Sequence, residues 1–145
     1  MPSIIYSSFP IDVFNGNCTV NHTYKAMLTT SGYTEDRNAH TKRSQITNEV
    51  TGTGYTAGGA NVTLSLTLNT ASTPPKVTLA IGPVTFPNST ITARKMIIYR
   101  ARGGSATVDE LVACVDNGVD LVSNSSTMTW NGNNSTWELP LPPPA

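Results

Sequence analysis

The sequence predicts an all-β chain: an antiparallel β-sandwich, immunoglobulin-like or jelly-roll-like, with one short helix and extended N- and C-terminal arms. Three observations predict it. Branched and aromatic residues alternate with Thr and Ser at the period of a half-buried strand, not of a helix. The turn-forming pairs Asn15-Gly16, Pro74-Pro75, Gly82-Pro83, Pro87-Asn88, Gly103-Gly104, Asn117-Gly118 and Asn131-Gly132 punctuate the chain about every ten residues. Finally, 145 residues suit one domain, large enough to bury a core without metals or disulfides.

Residues 1–14 read as an N-terminal arm. Ile4, Ile5, Tyr6, Phe9, Ile11 and Phe14 are too apolar to stay in water, while Pro2 and Pro10 interrupt regular structure. The sandwich domain spans 15–139. Its strands are expected at 24–30, 62–68, 76–81, 84–86, 91–101, 111–115, 127–130 and 136–139. In the second of these, Val62, Leu64, Leu66 and Leu68 alternate with Thr63, Ser65 and Thr67, which gives one aliphatic and one hydroxylated face. Only residues 33–50 break the pattern. Thr34 can cap a helix, Glu35 and Asp36 suit its positive end, and residues 39–46 are compatible with two or three turns. The following GTGYTAGG, residues 52–59, reads as a bending loop. Residues 140–145 hold four prolines, which cannot donate to a sheet ladder, so they read as a polyproline arm reaching about 15–20 Å.

Nine Lys and Arg balance nine Asp and Glu, and charged residues are only 12% of the chain, whereas Ser, Thr and Asn make 48 residues. Such a neutral, hydroxyl-rich surface argues against phosphate neutralisation, and nucleic acid is not expected as a partner. No apolar run is long enough to span a bilayer, and the N-terminus lacks the basic and apolar regions of an export signal. No membrane partner is expected, and the seven Asn-x-Ser/Thr triplets read as compositional coincidence.

No residue is assigned a catalytic, cofactor-binding or metal-ligating role, and the chain is read as a non-enzyme. Cys18 and Cys114 lack zinc-ligand spacing and read as small half-buried thiols, their pairing left open. His22 and His40 have no nucleophile nearby in sequence. Asp36 and His40, four apart, suit a local hydrogen bond better than a metal site. Asp116-Asn117-Gly118 reads as a turn, and GTGYTAGG lacks the ending of a phosphate loop. Arg94, Lys95, Arg100 and Arg102 read as the charged outer face of a hairpin. Trp130 and Trp137 flank an Asn-rich turn, where they read as core or interface residues rather than as the stacking residues of a sugar site.

Residues 24–59, YKAMLTTSGYTEDRNAHTKRSQITNEVTGTGYTAGG, resemble a recurrent family of small structural proteins of tailed bacteriophages. The likeness is specific in T-S-G-Y-T, the A-H pair and I-T-N-E-V-T-G-T-G-Y-T-A-G-G. It continues more loosely through ITARKMIIYR and DELVACVDNG, so that about residues 24–118 are covered. The resemblance implies a particle component without catalysis and carries over no functional residue. The leading expectation is a capsid decoration, or cement, protein on the virion surface, made in the host cytoplasm, with the major capsid protein or other virion proteins as partners and a dimer or trimer of itself. Ile5, Tyr6, Phe9, Pro142, Pro143 and Pro144 are the expected partner contacts. The alternatives are a neck or tail accessory protein and a carbohydrate-binding module that uses Trp130 and Trp137.

Overall fold

The structure, a computed structural model, describes residues 3–71, 73, 75–131 and, as backbone, 134–138. It is all-β, with antiparallel sheets packed against one another. The elements in order are β1 (Ile4–Ile5), α1 (Phe9–Phe14), β2 (Tyr24–Thr29), β3 (Ala60–Val62), β4 (Leu64–Asn69), β5 (Lys76–Ile81), β6 (Val84–Ser89), β7 (Thr92–Arg100), β8 (Leu111–Val122), β9 (Ser126–Trp130) and β10 (Asn134–Glu138). A central five-stranded sheet has the order β1-β8-β7-β2-β3. A three-stranded sheet, β10-β5-β4, and the pair β6-β9 pack on its inner face.

Side-chain alternation on the central sheet sends Ala26, Leu28, Met96 and Ile98 inward, where Leu79, Ile81, Phe86, Met128 and Trp130 meet them. The opposite face is buried too. Met27, Ile97, Tyr99, Leu111 and Cys114 form a second cluster with Tyr6 and Tyr33, beneath the N-terminal segment and the loop after β2. Runs such as Met96–Tyr99 are consequently apolar without interruption, the pattern of a sheet covered on both sides.

Several expectations are corrected here. Residues 3–14 are no free arm: β1 pairs with Ala113 and Cys114 of β8, and α1 follows directly. The expected helix at 39–46 is only a 310 turn, Arg43–Gln45. Its backbone is drawn to β8 instead, with Arg43 N donating to Asp109 O at 2.9 Å and Leu111 N to Thr41 O at 3.1 Å. The strand expected at 62–68 splits at Thr63, because β3 pairs with β2 in one sheet and β4 with β5 in the other. Thr63 O accepts from Gly82 N at 2.9 Å at this crossing. The expected turns at Asn88 and 116–118 are irregularities inside β6 and β8. Asn88 takes φ +50° and Gly118 φ +81° there. Residues 139–145, with the proline arm, lie outside the described residues.

The glycine loop is held from two sides. Glu49 Oε1 accepts from Tyr55 Oη at 2.8 Å and from Gly58 N at 2.6 Å, and Tyr99 Oη donates to Gly58 O at 2.6 Å. Gly59, at φ +82°, lies so close to β2 that a Cβ would sit 1.8 Å from Ala26 O. Gly103 has the same φ of +82° but open space around it. Urea unfolding should therefore separate two effects. Gly103→Ala should cost about 1–2 kcal/mol for the left-handed backbone alone, and Gly59→Ala well over that, because β2 must move. Equal losses would show that the loop yields freely.

Candidate interaction surface

Two ion-pair clusters use up the buried charges. On the outer face of the central sheet, Lys95 is 7% exposed, pairs with Glu35, donates to Tyr33 O at 2.8 Å and lies 3.9 Å from Asp116 Oδ2. Next to it Tyr6 Oη meets Tyr33 Oη at 2.8 Å, and Tyr33 Oη meets His40 Nδ1 at 2.9 Å. Just before β8, Asp109 and Glu110 are buried and gather cations from two loops and from the end of β7. Arg43 Nε is 2.7 Å from Asp109 Oδ2, Arg102 Nε is 2.6 Å from Glu110 Oε1, and Lys42 and Arg100 approach Glu110 at 3.6 and 3.9 Å. Arg43 also stacks over the Tyr99 ring, 5.0 Å from its centroid. Each carboxylate thus fastens a loop to the sheet.

These placements revise the reading of the basic residues. Lys95 is an interior group and not part of a charged outer face, while Arg94 pairs with Asp120 at 2.8 Å near the surface. Asp36 and His40 form a local turn: His40 N donates to Asp36 O, and Asp36 N to His40 Nδ1. The Ala39 and Asn38 amides hold the Asp36 carboxyl below its usual pKa. Among the described residues no three His, Cys, Asp or Glu side chains gather as a metal site, and no helix is long and apolar enough to cross a membrane.

The expected partner contacts fall elsewhere. Tyr6 is 0% and Phe9 2% exposed, each inside one of the chain's own two clusters, and Ile5 packs against the inner one. Burial in the chain's own core removes Tyr6 and Phe9 as free anchors, and half-buried Ile5 already packs on the inner cluster. Trp130 is also buried, its indole N–H facing Met128 S at 3.3 Å, so it offers no ring for stacking a sugar. Trp137 stands opposite Val77 in register, its side chain outside the described residues, as are Pro142, Pro143 and Pro144. Cys18 and Cys114 are free and buried, in different clusters on opposite faces of the central sheet.

The described surface also exposes large apolar side chains. In α1, Phe9 and Val13 are four apart and line an apolar cleft of about 200 Å³ with Cys18, Tyr24, Leu66 and Leu79. Ile11 and Phe14 point the other way and are 63% and 92% exposed. Val20, 70% exposed, borders the same cleft, and Leu66 and Leu68 of β4 are 39% and 58% exposed. The signal was present in FPIDVF, where apolar residues fall on two opposite faces, Phe9 with Val13 and Ile11 with Phe14, and Asp12 is the one charge.

Removing the ammonium of Lys95 leaves Glu35 and Asp116 without their cation. Lys95→Met should lower unfolding free energy by about 3–5 kcal/mol, and Lys95→Met with Glu35→Gln and Asp116→Asn should recover part of it in denaturant titration. Burial pushes the Cys18 thiol up to about 11 and the Cys114 thiol up to about 12. Both should resist a disulfide reagent at pH 8 in the native protein and react on unfolding, as counted by thiol titration.

No protein-family model matches the chain, and no curated protein or solved structure is significantly similar to it.

Proposed function

We propose that this chain is a structural virion protein of a tailed phage, most simply a capsid decoration protein, and that its work is adhesion to neighbouring virion proteins. The observation that carries the reading is the outward face of α1, where Ile11 and Phe14 stand in solvent on an otherwise neutral, hydroxyl-rich body. A large aromatic left 92% exposed on a short helix is a contact awaiting a partner. The resemblance over residues 24–118 supplies the particle as its context. Attachment is assigned to α1 and the cleft rim instead of to a free N-terminal arm, since Tyr6 and Phe9 are spent inside the chain's own core. Zero formal net charge lets many copies crowd on one shell without mutual repulsion.

Burying Ile11 and Phe14 contributes about 1.5–3 kcal/mol each, so Ile11→Asp with Phe14→Asp should weaken attachment to particles over a hundred-fold per contact. The melting temperature should stay nearly unchanged, because both residues are exposed. Quantitative mass spectrometry of purified particles gives the position: on the order of hundreds of copies mean shell, about six or twelve mean neck or tail. Particles without the chain would overturn the reading.

A further inference from the structure

We infer that β4 is a self-association edge, through which two copies of this chain pair as antiparallel strands about a two-fold axis at Leu66. Of the other sheet edges, β1, β3 and β6 are guarded. In the central sheet, β1 is two residues long and β3 three. β6 carries Pro87 and an irregularity at Asn88 with positive φ. Such brevity, proline and bulging are how edge strands avoid pairing with other chains. β4 has none of these features. Its six residues, LSLTLN, keep an unbroken register with β5 and include no proline and no charge. Its ladder to β5 uses one side; the other is the sheet's edge.

The occupant is argued from the strand's own pattern. A two-fold axis perpendicular to the sheet keeps each face on its own side, so even positions meet even positions. Centred on Leu66, it sets Leu64 opposite Leu68 of the second copy, Leu66 opposite Leu66, and Leu68 opposite Leu64. Six leucines then form one continuous row, with Ser65 and Thr67 together on the other face. A register centred on Thr67 would leave Leu64 without a partner. Leu66 and Leu68 are the two exposed leucines of this row, and Leu64 and Leu66 line the apolar cleft, beside which Leu68 of the second copy would settle. The chain's own tail is a poor rival for this edge, because Pro140, Pro142, Pro143 and Pro144 have no N–H to give a ladder. The uncharged strand also sets no like charges against each other across the axis. This pairing is independent of the virion reading, since the isolated chain in solution decides it.

The test uses the full chain. Analytical ultracentrifugation at micromolar concentration should give twice the monomer mass. Leu66→Lys, which places two ammonium groups opposite each other on the axis, should give monomer. Directly opposed Cβ atoms lie about 4.5–5.5 Å apart, so Leu66→Cys should oxidise to a disulfide-linked dimer at least about tenfold faster than Val119→Cys, an exposed control in the other sheet. Leu68→Cys should cross-link with Leu64→Cys in a mixture and little with itself. Buried Cys18 and Cys114 do not compete. The cross-linking arm decides the matter even if Leu66→Lys fails to fold. The inference is overturned if the native chain is monomeric and Leu66→Cys links no faster than Val119→Cys. It is equally overturned if a dimer persists in a folded Leu66→Lys variant, or if dimers form only once residues 139–145 are removed.

Discussion

The central sheet is covered on both faces, and most of the molecule's other features answer that constraint. No residue from Lys95 to Tyr99 is more than 7% exposed, so the outer face needs a lid as surely as the inner face needs a second sheet. The lid is made of irregular chain, the segment between β1 and α1 and the loop after β2. Irregular chain brings backbone groups that must be satisfied wherever they are buried. Tyr6 N accordingly donates to Val112 O and Ser7 N to Arg37 O, each at 3.0 Å, so the two lid segments bond to the sheet and to each other.

The same constraint explains why so many charges are interior. Lys95 pairs with Glu35, Asp109 with Arg43 and Glu110 with Lys42, so each pair ties the loop after β2 to the sheet or to the turn ahead of β8, through partners distant in sequence. Buried pairs of this sort add little net stability, since desolvation offsets their attraction, but breaking one is costly. They therefore select one docking of the lid over others that would bury similar apolar area. The tyrosines do related work: their rings fill the outer cluster while their hydroxyls bond to one another and to His40.

With the buried charges used in this way, the proposed recognition would rest on apolar and hydroxylated surface. α1 and the edge of β4 flank one cleft, since Val13 and Leu66 both line it, while Ile11 and Phe14 face away from it. A partner on α1 and a second copy on β4 would thus be neighbours. If both contacts form, each would orient the chain for the other.

The sequence alone determined the local geometry. Alternation with a period of two placed most strands, glycine and proline pairs marked their ends or interruptions, and the leucine row of β4 was visible as a two-faced strand. The unbroken apolar runs of β7 and β8 also carried the sign of double burial. Which segment forms the lid was decided only in three dimensions. Lys95 meets Glu35 across 60 positions, and Asp116 N meets Ser3 Oγ across 113. Nothing in the local preference of either partner distinguishes such a contact from exposure to water. For the same reason Tyr6, Phe9 and Trp130 read from sequence as surface residues or left open. An aromatic residue near a proline or a polar turn satisfies its local rules equally well inside or outside, and only the fit of distant surfaces excludes water from it.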